Sequence, residues 1–126
     1  MYGFAGLTRA RTRRPVVTGY IGEFEQLILW SLLRLGDDAY GVTIRAEIEA
    51  RTGRDVSSGS VYTALGRLEE RGFVRSKLAA GSTSRGGRRR KYYALEPEGA
   101  RALYDSHTVL QRMSDGLLPQ LIEALG

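Results

Sequence analysis

Cysteine and asparagine are both absent from this chain of 126 residues, and histidine and tryptophan occur once each, as His107 and Trp30. Without cysteine there is no disulfide, no thiolate nucleophile and no cysteine-ligated metal. The lone histidine has Asp105, Ser106 and Thr108 as polar neighbours. Adjacent residues of a helix point in different directions, so no catalytic triad assembles there. The segment from Gly81 to Gly86 has the look of half a phosphate-cradling loop, but Gly87 and Arg88 stand where a lysine and a serine or threonine are required. With no paired-carboxylate metal site visible either, the expectation is a protein that is not an enzyme and takes no cofactor or metal.

Long apolar runs are missing too. The stretch from Leu27 to Leu33 is too short to span a bilayer, and the first residues lack the apolar core of a signal peptide. A soluble, cytoplasmic protein is expected. Acidic residues are scarce in two places: none occurs from Met1 to Thr18 or from Arg71 to Leu95. The net charge of +5 is therefore localised, as a surface for an acidic partner requires. Lysine occurs only at Lys77 and Lys91, a bias towards arginine that reports a GC-rich genome and discounts arguments from arginine alone.

At this length the chain is one domain with a modest core. Residues 1–19 carry Arg9, Arg11, Arg13 and Arg14 without periodicity and read as a basic, flexible tail. A first helix is expected over residues 22–35, apolar almost all round, so it needs cover on more than one side and draws part of it from a second subunit. A turn at Gly36, Asp37 and Asp38 leads to a second helix opened by Tyr40 and Gly41 and ended by Gly53. A third helix starts at Ser57 and Ser58 and stops at Arg71 and Gly72. It turns Val61, Leu65 and Leu68 to one side and Ser60, Thr63 and Arg67 to the other.

Beyond Gly72, two short strands joined by a Gly/Ser-rich tip carry Arg85, Arg88, Arg89, Arg90 and Lys91, placed to follow a phosphate backbone. Residues 20–95 thus read as a winged helix-turn-helix domain, with helix three as the groove reader. Its DNA-facing candidates are Ser58, Ser60, Tyr62, Thr63, Arg67 and the five basic residues of the hairpin. Tyr62 serves equally well as a phosphate donor or as packing between helices.

From Glu96, a helix with Pro97 in its first turn carries Leu103, Leu110 and Leu117 at intervals of seven, and Gly116 and Pro119 are expected to kink or restart it. Residues 96–126 read as a C-terminal dimerisation helix. The interface candidates are Phe24, Leu27, Trp30, Leu103, His107, Leu110, Leu117 and Leu121. Trp30 reads first as core filler and second as the wall of a pocket for a small-molecule effector between subunits. The fold class is mainly α with a small β-hairpin.

Three pieces in order resemble the PadR-type transcriptional regulators, in the compact branch with a single C-terminal helix. They are Tyr40 with Gly41; Ser57, Gly59, Ser60, Val61, Tyr62, Ala64, Leu65, Arg67, Leu68 and Glu69 with Gly72 following; and Gly87 through Tyr93 with Leu95, Pro97 and Gly99. The resemblance covers residues 22–103. It implies a winged-helix homodimer on palindromic operators, usually a repressor, whose last helix packs on the first helix of the other subunit. Thr63 departs from the proline that many members carry there, and Glu96 stands where a threonine or serine often caps the last helix. The alternatives are a winged-helix module that binds an acidic protein and a nonspecific DNA-binding protein.

Overall fold

The computed structural model describes residues 20–79 and 90–126. Three helices come first: α1 (Glu23–Leu35), α2 (Gly41–Thr52) and α3 (Ser58–Glu70), with a 3-10 turn, Gly36–Asp38, between the first two. An antiparallel hairpin of β1 (Val74–Ala79) and β2 (Arg90–Leu95) follows, then α4 (Pro97–Ser114) and α5 (Leu118–Ala124).

Local chemistry sets most of these boundaries. The Glu25 carboxylate accepts the Gly22 amide at 3.3 Å, and Glu23 adds a second acid at the positive end of α1. At the start of α2, the Thr43 hydroxyl accepts the Tyr40 amide at 3.0 Å. Gly53, at φ 73°, closes α2 in the left-handed region where a β-carbon is costly. Ser57, not Ser58, caps α3, its hydroxyl accepting the Ser60 amide at 3.1 Å.

The core forms where α1, α2 and α3 meet. Ile28, Leu29, Ile44, Val61, Leu65 and Leu68 are completely enclosed, each contributing about 1.5–3 kcal/mol relative to exposure. Val74 and Tyr93 extend this core under the hairpin, and Ala102 and Leu103 extend it under α4. Among the described residues, the buried polar side chains Ser31 and Ser106 are both hydrogen-bonded: Ser31 donates to the Leu27 carbonyl at 2.9 Å, and Ser106 accepts the Ile21 amide at 3.1 Å.

One feature differs from the sequence expectations, and the restart expected near the C-terminus is present. Leu103, expected at a subunit interface, is 3% exposed and packs inside its own chain, because the first turns of α4 close the core that the hairpin leaves open. The C-terminal helix is two helices: α4 ends at Ser114, Gly116 takes φ 77°, and Pro119 lies in the first turn of α5. Gly116 and Pro119 had marked this restart. Glu96, as anticipated from its type, stands at the start of α4 without a side-chain cap.

Candidate nucleic-acid interface

The helix-turn-helix is held by Glu49. Its carboxylate accepts the Val56 amide in the turn at 2.9 Å and sits 3.4 Å from the Arg45 guanidinium. The amide bond first, and Arg45 after it, hold this carboxyl below the usual glutamate range against the opposing effect of burial. Arg45 also donates to the Ser58 hydroxyl at 3.2 Å. One arginine of α2 thereby stands at the first turn of α3, a placement that sequence periodicity does not disclose.

With Val61, Ala64, Leu65 and Leu68 turned inward, α3 exposes Ser58, Ser60, Tyr62, Thr63 and Arg67 together. The side chains of Thr63 and Arg67 have no hydrogen-bond or ion-pair partner among the described residues, so their polar groups stay available to a ligand. The Ser60 hydroxyl is shared with that of Ser57 at 2.8 Å. Tyr62 is half exposed, and its phenol end covers the α-carbon of Gly41, where a β-carbon would collide with it. The tyrosine therefore packs between α2 and α3 while keeping one face in solvent.

The wing is fastened on both sides. Ser76 pairs with Tyr93 and Lys77 with Tyr92 in the β-ladder. On the inner face the Glu69 carboxylate accepts the Ser76 hydroxyl at 2.6 Å and lies 3.9 Å from the Lys91 ammonium. Glu69 is thus turned from the exposed polar side of α3 towards the wing. On the outer side, Tyr40 forms a bridge with Tyr92, and the Tyr93 amide donates to the Ala39 carbonyl at 2.9 Å. Residues 39–40 thus add an isolated bridge to the edge of the two-stranded hairpin, where the sequence reading placed only a turn and helix start.

Arg90 sits over the Tyr40 ring at 4.3 Å and reaches the Tyr92 hydroxyl at 3.5 Å, which raises its pKa further above the ordinary arginine value. Arg85, Arg88 and Arg89 lie outside the described residues. Two cations absent from the sequence-based set, Arg75 and Lys77, share the outer face of β1. Their spacing of two residues was the available signal. Arg75 pairs with Glu96 at 3.4 Å, whereas Lys77 has no such partner among the described residues.

Among the expected interface residues, Phe24 and Leu27 are partly buried against the core. Trp30 is 38% exposed and meets the ring of His107 edge-on at 5.5 Å, joining α1 to α4. Leu110, Leu117 and Leu121 are exposed along α4, the break and α5. Among the described residues no cluster of metal-ligating side chains occurs, and no helix is long and apolar enough to cross a membrane.

Three core helices, a helix-turn-helix whose second helix is exposed along one polar side, and a basic hairpin beside it define a winged helix-turn-helix protein. Residues 29–105 match the Transcriptional regulator PadR-like family. The chain belongs to that family. Its fold is similar to that of a PadR family transcription regulator from Clostridium difficile R20291, at 28% identity and TM-score 0.63, with 80% of this chain and 99% of that one covered. A PadR family regulator from Eggerthella lenta is similar at 28% identity and TM-score 0.62, covering 78% and 80% of the respective chains. Bacillus subtilis PadR in complex with operator DNA shares the fold at 23% identity and TM-score 0.56, covering 65% of this chain and 46% of that one. No curated protein matches the sequence.

Proposed function

We propose that the protein is a sequence-specific, double-stranded DNA-binding repressor that acts in the cytoplasm as a homodimer on an inverted repeat. The observation that carries this reading is the exposed side of α3, where the side chains of Thr63 and Arg67 have no hydrogen-bond or ion-pair partner among the described residues, beside a basic wing. Arginine at such a place reads guanine through two parallel hydrogen bonds or clamps a phosphate. The operator DNA bound by Bacillus subtilis PadR supports the same use of the fold here.

The homodimer accounts for the apolar surface. Tyr104, Leu110, Met113, Leu118, Ile122 and Leu125, all on α4 and α5 or at the end of α5, are each more than half exposed, and large apolar side chains left in water in such number favour an association surface. A twofold dimer places two copies of α3 about 34–36 Å apart, one helical turn of DNA. A small-molecule effector, if one acts, would enter the dimer interior beside Trp30.

Selection of binding sites from a random duplex library, with the oligomeric state recorded, tests the proposal. An enriched inverted repeat bound by a dimer is the expected result. Salt-sensitive binding with no enriched motif would replace the repressor by a nonspecific DNA-binding protein, and no binding to duplex would leave the protein-interaction module.

A further inference from the structure

Both DNA-facing elements are attached to adjacent residues of α2's first turn. Tyr40 holds the wing: its backbone bridges Tyr92, its ring meets the Tyr92 ring at 5.3 Å, and its face carries the Arg90 guanidinium at 4.3 Å. One residue later, Gly41 holds the recognition helix through the phenol end of Tyr62. Arg90 is the first residue of β2, paired with Ala79 at the last described rung of the ladder. A two-stranded hairpin has little stability of its own. A cation seated on an aromatic ring of the helical body resists its fraying. Asp38, two residues before Tyr40, adds a smaller attraction for Arg90, whereas a phosphate ligand is better served by a side chain without such partners.

We propose that Tyr40 and Gly41 form one coupling piece that sets the wing against the recognition helix, and that Arg90 serves DNA binding as a positioning residue seated on Tyr40, not as a phosphate ligand. The inference rests on the DNA-binding reading above. It differs from the expectation that Arg90 belongs with the phosphate-contacting arginines, and it gives Tyr40, which carries no charge, a role in DNA affinity.

The test compares Arg90→Ala, Tyr40→Leu and the double variant in the full chain, with Tyr92→Phe as a milder change that keeps the ring and removes only Arg90's hydroxyl partner. Amide exchange at Tyr93, whose N–H is bonded to Ala39, is read without DNA. Affinity for a mixed-sequence duplex of about 40 base pairs is read across a salt series. Positioning predicts that Arg90→Ala and Tyr40→Leu each speed Tyr93 exchange and weaken duplex binding by about two- to fivefold. The double variant should be no worse than the worse single, and Tyr92→Phe should move both readouts in the same direction by less. The proposal is overturned if Tyr93 exchange is unchanged in Arg90→Ala and Tyr92→Phe, or if Tyr40→Leu folds and binds duplex normally while Arg90→Ala flattens the salt slope by about one phosphate contact. Failure of the unaltered protein to bind any duplex would sink the DNA-binding reading, while the exchange measurement would still decide whether Arg90 locks the wing.

Discussion

The phenol end of Tyr62 lies on the α-carbon of Gly41, so close that a β-carbon there would occupy the same space. The recognition helix is thus set against α2 by an aromatic side chain that also faces solvent. Gly41→Ala should push the ring outward. Because the displaced group is the far end of a rotatable side chain, the stability cost should be about 1 kcal/mol, at the low end for overpacking. DNA affinity should fall by more than stability does, and Tyr62→Ala in the same chain should restore the stability. Denaturant unfolding of the two variants, with duplex titration, checks this; a Gly41→Ala protein as stable and as tight-binding as the original would refute it.

Gly99 makes the opposite case. A β-carbon there would meet the backbone carbonyl of Phe73, which already accepts the Glu96 amide at 2.9 Å, and would stand 3.0 Å from the Leu95 side chain. Backbone cannot rotate aside, so Gly99→Ala should cost about 3 kcal/mol, the upper range for overpacking. Thermal unfolding would show a clearly lowered midpoint, and an unchanged one would mean that α4 shifts along its axis without penalty.

Arg67 is exposed and without a protein partner among the described residues, so its removal should leave the fold intact. Arg67→Ala should lose about 1–3 kcal/mol of discrimination between a selected duplex and a mixed-sequence one. Equal losses on the two duplexes would show that Arg67 touches phosphate alone.

Leu110 is 61% exposed on α4. A carboxylate there stays hydrated in a monomer but must be stripped of water in an apolar interface. Leu110→Glu should therefore raise the dimer dissociation constant at least about tenfold, one step of 1.4 kcal/mol. Sedimentation over a concentration series decides; a variant that dimerises as before would move the interface off this part of α4.

The Glu49 carboxyl is held below its usual range, chiefly by the Val56 amide. Its folded value lies below its unfolded one, so its contribution is complete above the unfolded value of about 4.3 and disappears as pH falls through the folded value. Glu49→Gln removes the charge and mimics the protonated form. The stability difference between the original protein and this variant should be constant near neutrality and close as pH falls below about 4. Thermal melts at a series of pH values would contradict this if the difference persisted undiminished to pH 3.

Much of this architecture was legible locally. The interval pattern of Val61, Leu65 and Leu68 identified the buried side of α3, and the same arithmetic exposed Thr63 and Arg67. Glycine at positive φ ended α2, and Gly72 followed α3 in the same conformation. Less legible was the destination of each charged group. Arg90 and Lys91 belong to a basic run, yet one rests on Tyr40 and the other lies beside Glu69. A run of arginines declares charge and solvation, but not which member finds an aromatic ring folded back from fifty residues earlier.

The sequence by itself determined the succession of helices and strands, because periodicity, capping and glycine conformation act over a few residues and are written there in order. It also determined the restart of the last helix at Gly116 and Pro119, two residues whose backbone preferences leave little choice. Tertiary structure alone decided that Leu103 fills its own core, that Tyr40 bridges the edge of the hairpin, and that Tyr40 and Gly41 meet Tyr92 and Tyr62 side by side. These are contacts between segments far apart in the chain, and their energies depend on which surfaces remain unpaired once the local elements have formed.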